Sequence, residues 1–418
     1  MKGKQWLSLA LAAVLTLSLT ACGDKGGGAG RPGKDPSEPT PPPTTQTPEP
    51  TPTPKPDPYE AVKTYWSQDQ LTQAWGPNQA VEHIFFHPVV AYPELAFDGE
   101  SNEEGIDDWM VTVGEYNKIL QNLYEKDYIL VPIESVWSEV TDETGTHMVR
   151  NTLMLPEGKK PLIISYDDTN YYYYMLHDGF TYKLILDEDG EIRSWGLDPQ
   201  GNEVVSRDLD AITILDKFVE EHPDFSLNGA KGCLSLTGYE GILGYRTHTD
   251  RNVTDPAELV KWEENRQKER EAVKPIIARL KETGWTFGCH TWGHINLSNK
   301  TLSRVQDDMG RWMNEVGDLV GPTTILFYPH GARPDGDDWH TTGPIFRYLQ
   351  EQGFRVFASV GINSFSYIKD DISAVICDRL HPDGKTLRWS RDRYLQFYDA
   401  WEIIDLETRP DMPYDRKP

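Results

Sequence analysis

Between residues 81 and 400 the chain alternates short apolar runs with longer stretches in which apolar residues recur every three or four positions. The runs are Pro161 to Ser165, Trp285 to Cys289, Thr323 to Phe327, Phe354 to Val360 and Ser373 to Cys377, each about as long as a buried strand. The longer stretches read as amphipathic helices. Leu209, Ile212, Leu215 and Val219 share one face of a helix that Ser206 or Asp208 can cap and that should end before Pro223. Asp255-Pro-Ala-Glu258 resembles a capping box opening a highly charged helix toward Gly284. Pro275 is expected to kink or split it, because proline cannot donate to the Glu271 carbonyl. Leu302, Val305, Met309, Trp312, Val316 and Leu319 mark a third helix closed by Gly321-Pro322, and Thr342-Gly-Pro344 opens a fourth that stops near Gly353. This order predicts an α/β fold with a mostly parallel sheet wrapped by helices.

The N-terminal part departs from that pattern. After a basic start, Trp6 to Thr20 is apolar but too short for a typical membrane span, and Leu19-Thr-Ala-Cys22 resembles the lipobox of bacterial lipoproteins. The expectation is a signal peptide over residues 1–21, a lipid on Cys22 and an anchor at the extracytoplasmic face of the cell membrane. Residues 22–58 are rich in Gly, Pro and Thr and read as an extended linker, leaving 59–418 as the globular domain.

Charge narrows the partners. The chain has 41 Lys and Arg against 66 Asp and Glu, a formal net charge of −25 that would repel phosphate backbones, so nucleic acid is not expected as a partner. Cys233, Cys289 and Cys377 form no CxxC pair and sit in contexts that suit buried strands.

Three polar motifs stand at the predicted carboxyl ends of strands, the rim where catalytic groups of α/β barrels and open sheets gather. They are Asp167-Asp168, His290-Thr-Trp-Gly-His294 and Tyr328-Pro-His-Gly331. Two histidines four apart can face one metal from a helical turn, and a carboxylate completes a water-activating donor set.

In these residues the chain resembles the polysaccharide deacetylase family with the NodB homology domain, carbohydrate esterase family four, in its extracellular lipoprotein branch. Ile164-Ser-Tyr-Asp-Asp168 looks like its first motif, HTWGH like the second and Phe327-Tyr-Pro-His-Gly331 like the third. Ile84-Phe-Phe-His87 is similar to the family's early strand and Val113 to Tyr128 to the helix after it, so the likeness spans about residues 81 to 400. The resemblance implies an irregular (β/α) barrel with insertions after the first metal motif. It also implies a metal-dependent hydrolase removing N-acetyl groups, or as a second class O-acetyl groups, from a cell-wall or extracellular polysaccharide. Asp168, His290 and His294 would hold a divalent metal, for which zinc suits the donors although iron sites use the same set. Asp167 would be the general base, and the Tyr328, Pro329 and His330 turn would offer the His330 N–H to the oxyanion.

The match thins at the proton donor. The family's Leu-x-His motif appears as Arg379-Leu-His381, which makes His381 the candidate acid, with a surface-turn histidine as the plain alternative. The family's aspartate-tryptophan motif is not found, and Asp370 and Asp371 are the substitutes on offer. The long gap from Asp168 to His290 places insertions at residues 170–202 and 237–270, expected to shape a substrate cleft; of Tyr171 to Tyr174, half are expected to pack as alternate residues of a strand and the others can stack on sugar faces. The competing functional reading is a noncatalytic glycan-binding lipoprotein on the same barrel, against which an intact Asp167 argues.

Overall fold

The computed structural model describes residues 57–99, 102–250 and 252–411, so the signal peptide, Cys22 and nearly all of the linker lie outside the described residues. Strands β1 (Glu82–Phe86), β2 (Lys160–Asp167), β3 (Gly232–Leu236), β4 (Thr286–Cys289), β5 (Ile325–Phe327), β6 (Val356–Val360) and β7 (Ala374–Arg379) pair in that order, all parallel. Beyond β7, Leu380 bridges to Ile84 of β1. The Phe85 amide donates to the Leu380 carbonyl at 2.9 Å and the Leu380 amide to the His83 carbonyl at 3.0 Å, which closes the sheet into a barrel. Tyr128–Leu130 adds parallel to β2, and Phe365–Lys369 runs antiparallel to β7 outside the closure. The expected irregular barrel is therefore present.

The barrel strands are apolar because both of their faces are covered. In β2, Leu162, Ile164 and Tyr166 join the cluster under the helices, whereas Ile163 joins the inner cluster with Cys233, Phe327, Ala358 and Cys377. Side chains alternate along a strand, so Ser165 and Asp167 follow Ile163 inward, and Asp167 reaches the rim from inside. The three cysteines among the described residues, Cys233, Cys289 and Cys377, are buried on strands, as their contexts predicted.

Helices α1 (Pro58–Lys63), α2 (Val113–Glu125), α3 (Ala211–Glu221), α4 (Pro256–Glu282), α5 (Leu302–Trp312) and α6 (Pro344–Glu351) surround the barrel. Two local expectations need correction. The cap of α3 is Asp210, whose carboxylate accepts from the Ile212 amide, because Ser206 ends a strand and Asp208 pairs with Lys217. Helix α4 begins at Asp255 as expected but continues through Pro275 without splitting. One missing hydrogen bond is outweighed there by Val273, Ile276, Ile277 and Leu280, all buried. Asp57, assigned to the linker from composition, caps α1 and pairs with Arg279 of α4 at 2.8 and 3.0 Å, so the globular body already includes it. Among the described residues no helix is long and apolar enough to cross a membrane.

The first insertion folds into an antiparallel sheet of Thr181–Leu186, Ile192–Leu197 and Glu203–Ser206. At the other end of the domain, Arg409 is buried between Asp107 and Glu115, and Arg388 also reaches Asp107.

Candidate metal centre and active site

The three motifs meet at the carboxyl ends of β2, β4 and β5. Asp167 is the last residue of β2, and Asp168 turns out of the strand with φ 59°. His290 follows β4, and its amide donates to the Leu236 carbonyl of β3 at 3.0 Å. The HTWGH segment is not a helical turn. Thr291 and His294 adopt φ 58° and 49°, and the loop is pinned by Asp308 of α5, which accepts from the Trp292 amide at 2.6 Å and the Gly293 amide at 3.2 Å. His330, in the turn after Tyr328, has φ 59°. Left-handed backbone at non-glycine residues costs of the order of 1 kcal/mol each, and its clustering here marks a rim held in place by its surroundings.

Asp168, His290 and His294 offer ligand atoms that all lie within 4.8 Å of one another. His290 Nδ1 faces the Phe327 carbonyl at 2.9 Å, so its proton sits there and Nε2 presents a lone pair inward. Asp168 Oδ2 lies 3.6 Å from His294 Nε2 and 3.8 Å from His87 Nε2. Such spacings match ligand atoms placed about 3.3 Å apart around one ion with bonds of about 2 Å. A carboxylate oxygen ringed by imidazole nitrogens is the donor set of a divalent cation, so the residues fit a metal. On Asp168, Oδ1 is taken by the Tyr172 hydroxyl, which donates to it at 2.5 Å.

Asp167 is fully engaged on one side. Arg379 donates to both of its oxygens at 2.8 Å. Arg379 also donates to Ser165 Oγ at 3.1 Å and lies over the rings of Phe85 and Phe327. Burial alone would raise the Asp167 carboxyl, but Arg379 and His290 overcome it and hold the group far below the usual carboxylate range.

His381 lies in the same cavity. Asp383 Oδ2 accepts from its Nδ1 at 2.9 Å, and its ring stacks on Phe85 with centroids 4.3 Å apart. Its Nε2 is 3.0 Å from His87 Nδ1. Since His87 Nδ1 also faces the Trp109 carbonyl, His87 carries its proton there and donates to His381. Burial, reinforced by His381, lowers His87 to about 4, so its Nε2 is a neutral acceptor aimed at Asp168. The cavity of about 550 Å³ is lined by these groups and walled by Trp109, Met110, Tyr328, His330, Gly331 and Val360. In the Tyr328–His330 turn, Pro329 has no N–H and that of Tyr328 is bonded to the Ala358 carbonyl at 2.8 Å, which leaves the His330 amide as the one to offer.

Several sequence expectations change. Asp370 and Asp371 lie in the turn before β7, at the opposite end of the strand from His381, and cannot serve the site. The insertions do not line the cavity: residues 181–206 pack against α3 and α4, and Tyr172 reaches the Asp168 carboxylate. Tyr171 to Tyr174 do not alternate along a strand: Tyr171 and Tyr172 are buried, and Tyr173 and Tyr174 are exposed at the start of a short helical turn. Arg379, Asp383, Asp308 and Trp109 went unassigned in the sequence, and His87 had no role. An arginine ending a strand whose first four residues are apolar was the available signal for Arg379.

Comparison with known proteins agrees with this site. The polysaccharide deacetylase family model matches residues 252–340, which carry HTWGH and YPHG, while Asp167, Asp168 and His381 fall outside the match. No curated protein matches the sequence. Among solved structures, the Streptococcus pyogenes deacetylase PplD in complex with acetate is 13% identical, with a TM-score of 0.39 over 74% of this chain and 96% of that one. IcaB from Ammonifex degensii is 11% identical, with a TM-score of 0.40 over 76% and 97%; BC0361, a polysaccharide deacetylase from Bacillus cereus, is 11% identical, with a TM-score of 0.40 over 77% and 69%. These scores are too low to bear on the fold, which rests on the strand order above. The polysaccharide deacetylase family model thus lies over two of the three motifs that build the site, and it is to that family that this part of the chain is similar.

Proposed function

We propose that the protein removes N-acetyl groups, with O-acetyl groups as the second substrate class, from an extracellular or cell-wall polysaccharide. The observation that carries this reading is the convergence of Asp168, His290 and His294 with Asp167 and the His87–His381 pair in one cavity. A divalent ion held by Asp168, His290 and His294, zinc by donor type, would supply Lewis-acid polarisation of the acyl carbonyl and acidify the attacking water. Asp167, kept ionised by Arg379, orients that water and accepts its proton. The His330 N–H meets the developing oxyanion. With the His87–His381 pair carrying one proton beyond this neutral arrangement, His381, oriented by Asp383, gives that proton to the departing amine.

The noncatalytic glycan-binding reading draws on one observation, the engagement of both Asp167 oxygens by Arg379. It is the weaker reading, because Asp167 still borders the cavity and each carboxylate oxygen retains an unused lone pair. We also place the protein at the extracytoplasmic face through a lipid on Cys22, supported by Leu19-Thr-Ala-Cys22. Mass spectrometry of the membrane fraction showing an unmodified Cys22 would refute the anchor.

The test of function is acetate release from N-acetylglucosamine oligomers, peptidoglycan and acetylated xylan, with zinc supplied and then chelated. Release that stops on chelation and returns with metal is expected. No release from any of them by zinc-loaded protein would leave the binding reading.

A further inference from the structure

A row of aromatic rings starts one short loop from the cavity. Val360 closes β6 and lines the cavity, and Phe365 opens the antiparallel strand Phe365–Lys369 four residues after Gly361 begins the connecting loop. Phe365 and Tyr367 occupy one face of that strand, since side chains two apart share a face. Their ring planes are 18° apart, with centroids separated by 6.2 Å. On the other side Trp339 lies 6.3 Å from Phe365, at 21°. Centroid separations this wide in nearly parallel rings mean little face-to-face overlap, so the three rings form a stepped shelf rather than a stack.

The shelf stays open. Trp339 is 47% exposed, Tyr367 41%, and Ile362 in the loop between Val360 and Phe365 is 66% exposed. Trp339 is nonetheless held in place, because the buried Arg333, ion-paired to Asp378 of β7, lays its guanidinium against the indole with Cζ 3.3 Å from the ring centroid. Holding an indole rigid while leaving it exposed adds no core packing, and contiguous exposed apolar area of this kind marks a binding surface. Beyond Phe365 the row borders a groove of about 470 Å³, also lined by Ser366, Asn78 and Arg150. Arg150, whose Nη2 donates to the Gln79 carbonyl at 3.0 Å, stands at the edge of that groove. Flat rings flanked by amide, hydroxyl and guanidinium groups suit a sugar, whose C–H face packs on an aromatic ring while its hydroxyls bond at the edges.

We propose that Trp339, Phe365 and Tyr367 bind successive pyranose rings of a linear glycan whose acetylated unit occupies the metal-site cavity. This makes the preferred substrate a polymer rather than a free sugar, and it rests on the polysaccharide reading above. The pairing of rigid, exposed rings with a start at the cavity wall favours a glycan over a second copy of the chain, because a glycan that presents an internal unit to the cavity continues over its walls.

The test uses the full chain with Trp339→Ala, Tyr367→Ala and the double substitution, alongside Trp339→Phe and Tyr367→Phe. None of these residues belongs to the catalytic machinery. Affinity electrophoresis on soluble glycol chitin, acetylated xylan and peptidoglycan fragments reads binding without turnover. Binding by the native protein to at least one polymer is expected, with a roughly three- to tenfold loss for each ring removed and retention in the Phe variants. For deacetylation, KM on that polymer rises by the same factor, while kcat and the rate on a monomeric acetylated sugar stay unchanged. Thermal midpoints unchanged from native exclude misfolding as the cause. If the native protein binds a polymer through these rings but releases no acetate, the catalytic reading fails and the shelf stands. Unaltered polymer binding in the double variant, no polymer binding by the native protein, or a native dimer that Trp339→Ala dissociates would overturn the proposal.

Discussion

Two carboxylates adjacent in sequence have opposite surroundings. Asp168 faces imidazole nitrogens, whereas Asp167 faces a guanidinium that fixes both of its oxygens. Asp167→Asn should therefore retain one equivalent of zinc and lose roughly two to four orders of magnitude in turnover, measured by acetate release and metal analysis on the same sample. His290→Ala should lose the metal, and retained turnover in Asp167→Asn would exclude Asp167 as the base. The acid is testable through the leaving group. An amine needs protonation and an aryl oxide does not, so His381→Ala should impair release from an N-acetyl sugar far more than from an aryl acetate. If only His87→Ala shows that contrast, His87 is the donor and His381 its support. Residue types at the site were legible in the sequence because donor chemistry belongs to each side chain. Their partners were not: Arg379 lies 212 positions from Asp167 and His87 lies 294 from His381.

Among the elements, apolar periodicity located the strands and helices because it records which face is buried. Caps and turns were less legible. Three acidic or hydroxyl residues precede α3, and only packing selects Asp210, which also accepts from the hydroxyls of Tyr171 and Thr181. The HTWGH loop shows the same limit, since its two histidines converge through positive φ angles and the buried Asp308, not through helical spacing. At α1, Asp57 is both the cap and the tie to α4, and its bond to Arg279 holds its carboxyl below the ordinary value. A group with a depressed folded pKa stabilises above its unfolded value, near 4, and loses that contribution as pH falls through the folded value. Asp57→Asn should thus lower the thermal midpoint at pH 7 by an amount equivalent to about 1 kcal/mol, and the difference from native should shrink below about pH 4. An equal difference at both pH values would rule out the ionic contribution.

The whole molecule is set by closure. The single ladder step from Leu380 to Ile84 brings His381 beside His87, so barrel closure and assembly of that histidine pair go together. The C-terminal segment secures the same region: Arg409 joins Asp107 and Glu115, and Arg388 of the helix after Asp383 shares Asp107. Removing one partner from a fully buried ionic cluster strands the others, so Arg409→Met should destabilise the domain by roughly 3–5 kcal/mol in denaturant unfolding. A loss below about 1 kcal/mol would mean the cluster is not buried in solution. By itself the sequence determined the alternation of strands and helices, the carboxyl-end placement of the three motifs and the metal-donor set, because these depend on local periodicity and on side-chain chemistry. Tertiary structure alone decided that Arg379 locks Asp167, that His87 and Asp383 bracket His381, that the insertions stay off the cavity and that an aromatic shelf begins at its wall. Arg379 with Asp167 and His87 with His381 join segments far apart in the chain, and only a closed barrel brings them within bonding distance.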